Sequence, residues 1–522
     1  MHRPSWSTIF VFATIAVMLV AINARPSFPD ADSFYHAKMA LTIRDHGFIH
    51  SFPWLQETTW RDQYVDVHLL YHVLLIPFVT LFDPIVGMKE SAVVFGLLAF
   101  YAIYRFLKSI GSPYPEWLTF ATAFSFDFLQ RVSMPRAPSL SVVFLLFCIW
   151  AMLTSRRKTL VVALAAFVWL YHGWPIVLVG YFCFVIADAA ARRIARPGED
   201  DPLARYDALK TGIALAVGIA VGLVVSPYFP TNVLSSVADS VKIGIDGSHE
   251  IPAGVEWKAG SWILLVLVNM PVLICAFVGT ALLLPAKASS LLDRSPARVR
   301  SALTLTLFAT FFFVFALRSM RYAEYFVPLV ILSAGAVLSM VWPYLRQGII
   351  QLKKDLRGNR TASRFRWQSY AVVAIACLSV GAMLFIRGVS HSIEKGGVFT
   401  EARYRGSADW LRSNLPPGAI VFNTQWDSSM MYFYLDDAQY LLVGLDPRLM
   451  YENDSEKYRV WYALCNGDDK EVEKIRSVFH ASAILIDRRN PSPIGAHAEE
   501  SGQYEKAYED EWSQIYTPIS TL

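Results

Sequence analysis

Runs of apolar residues long enough to cross a lipid bilayer recur along this chain as far as residue 387. A helix needs about 20 mostly apolar residues to span the hydrocarbon core. Inside lipid the backbone must satisfy its own hydrogen bonds, so such runs fold as helices. The chain is therefore read as a polytopic α-helical membrane protein. Composition agrees: 54% of its 522 residues are hydrophobic and 17% are charged, against about 25% charged in a soluble protein. The net charge of +4 is small, and the basic residues cluster beside apolar runs. That pattern serves membrane orientation and argues against a nucleic-acid partner.

The first span covers residues 5–22, preceded by Arg3. Asn23-Ala24-Arg25 is a poor cleavage site, so an uncleaved anchor is expected. A long loop, 24–84, follows. Within it, Phe34, Ala37 and Leu41 fall on one helical face, which predicts an amphipathic helix on the membrane interface. Residues 67–82 are apolar but short, and are interrupted by His68, His72 and Pro77. The charge pattern decides their status. If they do not cross, the later spans are near 85–104, 114–130, 139–154, 159–171, 174–191, 211–228, 261–284, 301–317, 323–345 and 368–387. That makes about 11 transmembrane helices in all, and places roughly twice as many Lys and Arg on one side as on the other. Arg105, the Arg156-Arg157-Lys158 run, Arg192 and Arg300 then share the cytoplasmic side. Residues 67–82 are accordingly expected to be re-entrant or interfacial. Loop 24–84 and loop 229–260 become extracytoplasmic. The chain is expected in the cell's inner or plasma membrane.

Residues 388–522 are polar and lack long apolar runs, so 1–387 and 388–522 are expected as separate domains. The second should be extracytoplasmic by the same charge argument. A helix over 401–414 ends at Pro416-Pro417-Gly418. Strands are expected at 419–423, 440–443 and 483–486, with helices near 453–464 and 468–479. This alternation predicts a small α/β domain. Of the five cysteines, only Cys465 lies outside an apolar run, so no disulfide framework is implied.

Several polar clusters stand out against this background. Asp30, Asp32 and His36 follow the first span directly. Paired carboxylates can act as a general base or hold a hard divalent cation. Asp32 also suits the N-cap of a 33–46 helix. At the far end of the same loop lie Glu57, Asp66, His68 and His72. The two histidines share a helical face at i and i+4, and could extend the polar site or bond to nearby backbone. No third ligand has zinc-like spacing. Arg131, Arg136, Arg318 and Arg321 sit on the extracytoplasmic side, against the charge bias. A phosphate partner explains such cations, as does snorkelling to lipid headgroups. Loop 229–260, with Glu250, is glycine-rich and expected to be mobile, either closing over an acceptor or simply solvated. His172 interrupts the apolar run between two spans, beside Trp174. Trp426 and Asp427 follow a predicted strand, where binding loops often lie.

Together these stretches resemble the catalytic subunit of oligosaccharyltransferase and its bacterial and archaeal relatives, membrane glycosyltransferases of the C-type fold. Asp30-Ala-Asp-Ser-Phe-Tyr-His36 resembles the family's first acidic motif, with Asp32 at the catalytic aspartate. Met320-Arg-Tyr-Ala-Glu-Tyr-Phe-Val-Pro328 is similar to its arginine motif, which implies that Arg321 contacts the lipid-linked phosphate. Gln425-Trp-Asp-Ser428 stands where the family has Trp-Trp-Asp-Tyr-Gly, and keeps only Trp426 and Asp427. The family's second acidic motif, which helps hold its metal, has no counterpart in Arg131-Val-Ser-Met-Pro-Arg-Ala-Pro-Ser139.

The resemblance implies a C-type glycosyltransferase fold followed by an extracytoplasmic α/β domain. It implies transfer of a sugar from a polyprenyl-phosphate-linked donor to a glycan, lipid or protein acceptor, in contact with membrane lipids. Asp30 and Asp32 would carry the catalysis, with Mg2+ or Mn2+ on Asp32 if a metal is used. Arg321, Arg318, Arg131 and Arg136 would hold the donor phosphate. His36, Asp66, His68, His72, His172, Glu250, Trp426 and Asp427 would line the substrate site. The alternatives are oligosaccharyl transfer to protein asparagine, and a non-catalytic binder or transporter of lipid-linked sugars.

Overall fold

The computed structural model describes residues 5–194, 207–236, 251, 263, 265, 266, 269, 272–274, 292–358, 383, 386 and 399–519. These fall into two compact units. The first comprises the described residues of Met1–Ala24, Ser91–Ser226 and Val255–Ile393; the second those of Arg25–Glu90, Pro227–Gly254 and Glu394–Leu522.

The first unit is helical. It contains α1 (Trp6–Asn23), and α4 (Pro84–Ser109) enters it from the second unit. There follow α5 (Pro115–Thr122), α6 (Phe126–Ser133), α7 (Pro138–Leu153), α8 (Arg157–Leu170), α9 (Ile176–Ile194), α10 (Asp207–Val224), α11 (Pro296–Arg318) and α12 (Ala323–Gly358). Among the described residues, five helices are long and apolar enough to cross a membrane: α1, α4, α10, α11 and the Ala323–Ile350 part of α12. α6 and α7 make a sixth if counted as one bent span. The chain is a multi-pass membrane protein. Most of the expected spans at 261–284 and 368–387, and Glu250, lie outside the described residues.

The span expected over 114–130 is not one helix. It breaks after Thr122, because the Ser125 side chain caps a new helix, accepting from the Phe128 backbone N–H. α6 then ends before Pro135, and α7 leaves at 106° to it. Asp127 and Arg131 are buried on α6, so this helix faces protein.

Close helix approach depends on small residues. A Cβ at Gly222 of α10 would lie 2.8 Å from the Val168 Cβ and 3.0 Å from the Ala165 carbonyl oxygen of α8. Gly218, one turn earlier, meets Leu164 in the same way. This is the spacing that lets membrane helices pack backbone to backbone. Arg300 of α11 joins Asp188 of α9 (3.3 Å) and Asp207 of α10 (3.0 Å), all buried.

The second unit combines the first loop with the C-terminal segment. α2 (Asp32–His46) and α3 (Leu69–Leu81) come from the loop. The C-terminal segment carries a five-stranded sheet of β1 (Ile420–Asn423), β2 (Tyr440–Leu441), β3 (Ala483–Asp487), β4 (Tyr504–Glu509) and β5 (Ser513–Pro518). The strand order is β2-β1-β3-β5-β4. β1 runs parallel to β2 and β3, while β5 pairs antiparallel with β3 and β4. All five residues of β3 are buried. Phe422, Ile484, Ile486 and Tyr516 join helical Trp461, Ile475 and Phe479 in one core.

The helix expected over 401–414 is α13 (Glu401–Asn414). The one expected at 468–479 shrinks to Lys474–Ser477. The β4–β5 hairpin and the helix Ile494–Glu500 were not expected. Their mixed polar and apolar residues give short, weakly periodic signals.

The first loop is built into this domain. Phe28 bridges to Phe399 and Leu55 to Leu441. The Gln56 backbone N–H donates to the Leu441 carbonyl at 2.8 Å. Glu57, expected near the polar site, is instead held by Lys457 at 2.9 Å. α2 was expected on the membrane interface. It packs against α3 and α14 (Ser429–Leu435), and nine of its 15 residues are buried. The apolar stripe meets protein on more than one side, so it does not need lipid to cover it.

Candidate functional site

Asp30 and Asp32 stand on either side of a helix start. The Asp30 carboxylate accepts from the Ser33 backbone N–H at 3.0 Å and the Ser33 hydroxyl at 3.1 Å. It therefore caps the first turn of α2. Asp32 is the first residue of the helix itself. The cap that Asp32 was suited to is supplied by its neighbour. Asp32 is half-buried, and a carboxylate in the first turn is favoured by the helix dipole.

One turn further along α2 is His36, 3% exposed. Its Nδ1 lies 2.7 Å from Nε2 of His72 on α3. The other nitrogen of His72, Nδ1, lies 2.7 Å from Asp66 Oδ2. Asp66 Oδ1 accepts from the His68 backbone N–H at 2.9 Å, at the start of α3. His68 stacks edge-on against His36, with ring centroids 5.2 Å apart. The structure thus brings His36 together with Asp66, His68 and His72, which the sequence places at the far end of the same loop. Beside them the Tyr35 and Tyr64 hydroxyls meet at 2.5 Å. Burial, together with the charge of Asp66, holds both phenols well above their ordinary pKa. Phe52 and Trp60 complete an aromatic wall around them.

The first unit holds a second group. Arg321 lies in a single 3-10 turn, Met320–Tyr322, between α11 and α12. It donates to the Tyr171 hydroxyl, and its guanidinium lies 6.0 Å from the Tyr171 ring. The neighbouring His172 ring is 4.4 Å from that of Tyr171, so Arg321 and His172 are linked through a residue the sequence reading passed over. Arg131 of α6 donates through Nε to Glu324 of α12 at 2.9 Å, with both side chains buried. Arg136 is half-buried and Arg318 exposed. Glu324 also escaped the sequence reading. An acid inside the apolar 323–345 run was the available signal, since such residues need a partner.

In the C-terminal domain, Trp426 and Asp427 follow β1, and Arg489 follows the adjacent parallel strand β3. Arg489 bonds Asp427 at 3.1 Å and Asp487 at 2.7 Å. Burial raises the Asp427 carboxyl above the usual carboxylate range, and Arg489 opposes the rise. Burial pulls Arg489 down, but the two aspartates more than offset it, so the guanidinium stays charged. Trp426 packs partly against the domain core. Arg489, 62 residues from Asp427, had no local signal.

Among the described residues, no three His, Cys, Asp or Glu side chains converge in a way able to hold a metal ion. Asp66 and the two bonded imidazoles are committed to one another in a line, with no common point between them.

The fold is that of the C-type membrane glycosyltransferases. AglB of Archaeoglobus fulgidus, an archaeal oligosaccharyltransferase solved with an inhibitory peptide and a dolichol-phosphate, superposes with a TM-score of 0.59 at 12% identity, over 92% of this chain and 70% of that one. The apo form of the Archaeoglobus fulgidus oligosaccharyltransferase gives 0.57 at 13% identity, over 92% and 69%. ArnT of Cupriavidus metallidurans bound to undecaprenyl phosphate gives 0.54 at 14% identity, over 98% of both chains. No protein-family model matches the chain, and no curated protein matches it by sequence.

Proposed function

We propose that this chain is an integral-membrane glycosyltransferase that moves a sugar from a polyprenyl-phosphate-linked donor to a hydroxyl acceptor on a glycan, lipid or protein, at the extracytoplasmic face. The observation that carries this reading is the fold shared end to end with ArnT, together with a half-buried carboxylate, Asp32, in the first turn of α2. Asp32 takes the proton of the acceptor hydroxyl. The acceptor oxygen bonds to the anomeric carbon, and the bond from that carbon to the phosphate oxygen breaks. The bonding pair leaves on the polyprenyl phosphate. Asp30 holds the start of α2 in place. Arg321, steadied by Tyr171, carries the donor phosphate, with Arg318 and Arg136 as further cations. Arg131 has a carboxylate partner in Glu324, so its share of the phosphate charge is the smallest of the four. Trp426 and Asp427 contact the acceptor, and His172 the donor.

Asp32→Asn is expected to abolish sugar transfer from a polyprenyl-phosphate hexose, with expression and membrane insertion unchanged. Transfer is read by chromatography of the released polyprenyl phosphate. Full activity in that variant would sink the assignment. Product on a sequon-bearing peptide, and none on hydroxyl acceptors, would move the reaction to protein asparagine. Binding of the donor without turnover would make the chain a carrier-sugar binder.

A further inference from the structure

The loop that carries Trp426 and Asp427 runs straight into α14, and the Ser429 hydroxyl donates back to the Trp426 carbonyl at 2.7 Å. The loop is therefore fixed to the start of this helix. The far end of α14 reaches α2. There the Tyr434 ring meets the Phe34 ring edge-on, with centroids 5.3 Å apart. Phe34 is 1% exposed and lies two residues after Asp32. Phe28 meets the same ring at 5.0 Å, so Phe34 is gripped by the residue before the acids and by the end of α14. One turn along α2, Lys38 lies 5.9 Å from the centre of the Phe433 ring and bonds Asp437 at 2.8 Å. Residues 34 and 38 share one helical face. Phe433 also packs against Phe52 and Trp54 of the first loop, at 4.9 and 4.8 Å. The Trp54 indole N–H donates to the Asp437 carbonyl at 2.9 Å. Apolar, ionic and hydrogen-bonding contacts thus seat the end of α14 in the first loop.

The seven residues of α14 span about 10 Å, and none is a proline or glycine that would kink it. Such a segment keeps its two ends at a fixed spacing. We propose that α14 is a strut that sets the Asp32 carboxylate relative to the Trp426–Asp427 loop, with Tyr434 and Asp437 as positioning residues. This rests on the transferase reading above, in which Asp32 takes the acceptor proton and the loop contacts the acceptor. Tyr434 holds the first turn of α2 through the Phe34 ring. Asp437 holds the next turn through Lys38. A general base works only at hydrogen-bonding distance from the hydroxyl it deprotonates. A misplacement of about 1 Å can cost roughly 100-fold in rate. The strut therefore acts on the rate through the placing of Asp32.

Two measurements on the full chain in lipid nanodiscs test this. The first is hydrogen–deuterium exchange of the α2 backbone amides, read by mass spectrometry. Tyr434→Leu is expected to speed exchange over residues 32–38 about 10-fold, and Tyr434→Phe, which keeps the ring, to restore the slow rate. Unchanged exchange in Tyr434→Leu overturns the strut, whatever the activity. The second is release of polyprenyl phosphate from a polyprenyl-phosphate hexose, with total membrane lipid and glycan from the source cells as acceptor. Tyr434→Leu is expected to lower kcat about 100-fold with KM for the donor unchanged, and Tyr434→Phe to rescue it. Asp437 is exposed, so reversing its charge leaves the core intact. Asp437→Lys sets two cations against each other and is expected to lower kcat about fivefold. Lys38→Asp combined with Asp437→Lys is expected to recover the rate. A double reversal no faster than the single one, or a loss of thermal stability with kcat unchanged, overturns the strut. A wild-type chain that transfers no sugar, while Tyr434→Leu still loosens α2, takes down the transferase reading alone.

Discussion

Arg131–Glu324 in the helical unit and Asp66–His72–His36 in the α/β unit are both buried and both joined at hydrogen-bonding distance. Their chemistry differs. A guanidinium does not give up its proton in a protein, so the first pair has no proton to pass along. It fastens α6 to α12. An imidazole carries a lone pair and a proton at opposite edges, so the second line can change state without breaking. Burial alone therefore does not mark a working residue. What marks it is whether the buried groups can exchange a proton and keep their partners.

The sharpest way to break this comparison is to remove one half of the fixed pair. Glu324 is 0% exposed, and its Oε1 has no hydrogen-bond partner among the described residues. Arg131→Ala would leave that carboxylate buried and uncompensated, at an expected cost of about 3–5 kcal/mol in unfolding. Replacing both residues with apolar ones should restore most of the loss. Thermal unfolding of the two variants in nanodiscs measures it. A single variant as stable as wild type would mean that Arg131 is held for another purpose, such as the donor phosphate.

The Asp66–His72–His36 line should respond in the opposite sense. Asp66→Asn keeps an acceptor for the His68 N–H but replaces the carboxylate oxygen that faces His72 Nδ1 with an amide group. The expected result is a fall in kcat of about 100-fold, roughly 2.7 kcal/mol in the barrier, with a smaller change in unfolding temperature. Loss of stability with kcat intact would make the line a fastener like the first pair. The smallest expected effect serves as a control on the C-terminal domain. Asp454 caps the helix Ser455–Asn466, accepting from the Glu456 and Lys457 backbone N–H groups. Asp454→Ala should cost about 1 kcal/mol in stability and leave the transfer rate unchanged. A fall in rate there would mean that the domain reports to the reaction through its stability.

Much of this was legible in the residues. The membrane class followed from apolar run length, and the helix over 401–414 was bounded correctly by its pattern and the Pro416-Pro417-Gly418 stop. The first-loop acids and histidines were visible as polar residues with no need to be there. Less was legible wherever a short break or a distant partner decided the outcome. The kink at Ser125 lies inside a stretch apolar enough to read as one span. The buried setting of α2 depends on α3 and α14. Glu57 looked like part of the polar site until Lys457, 400 residues away, claimed it.

The sequence by itself determined that the chain is membrane-embedded, that a polar domain closes it, and that carboxylates and imidazoles gather in the first loop. Those properties depend on composition and on local spacing, which a linear chain displays directly. Only the tertiary structure decided that Asp30 caps the first turn of α2, and that His36 meets His72 across 36 residues. Which polar groups are buried together is settled by packing, because each must find a partner within about 3 Å once water is gone.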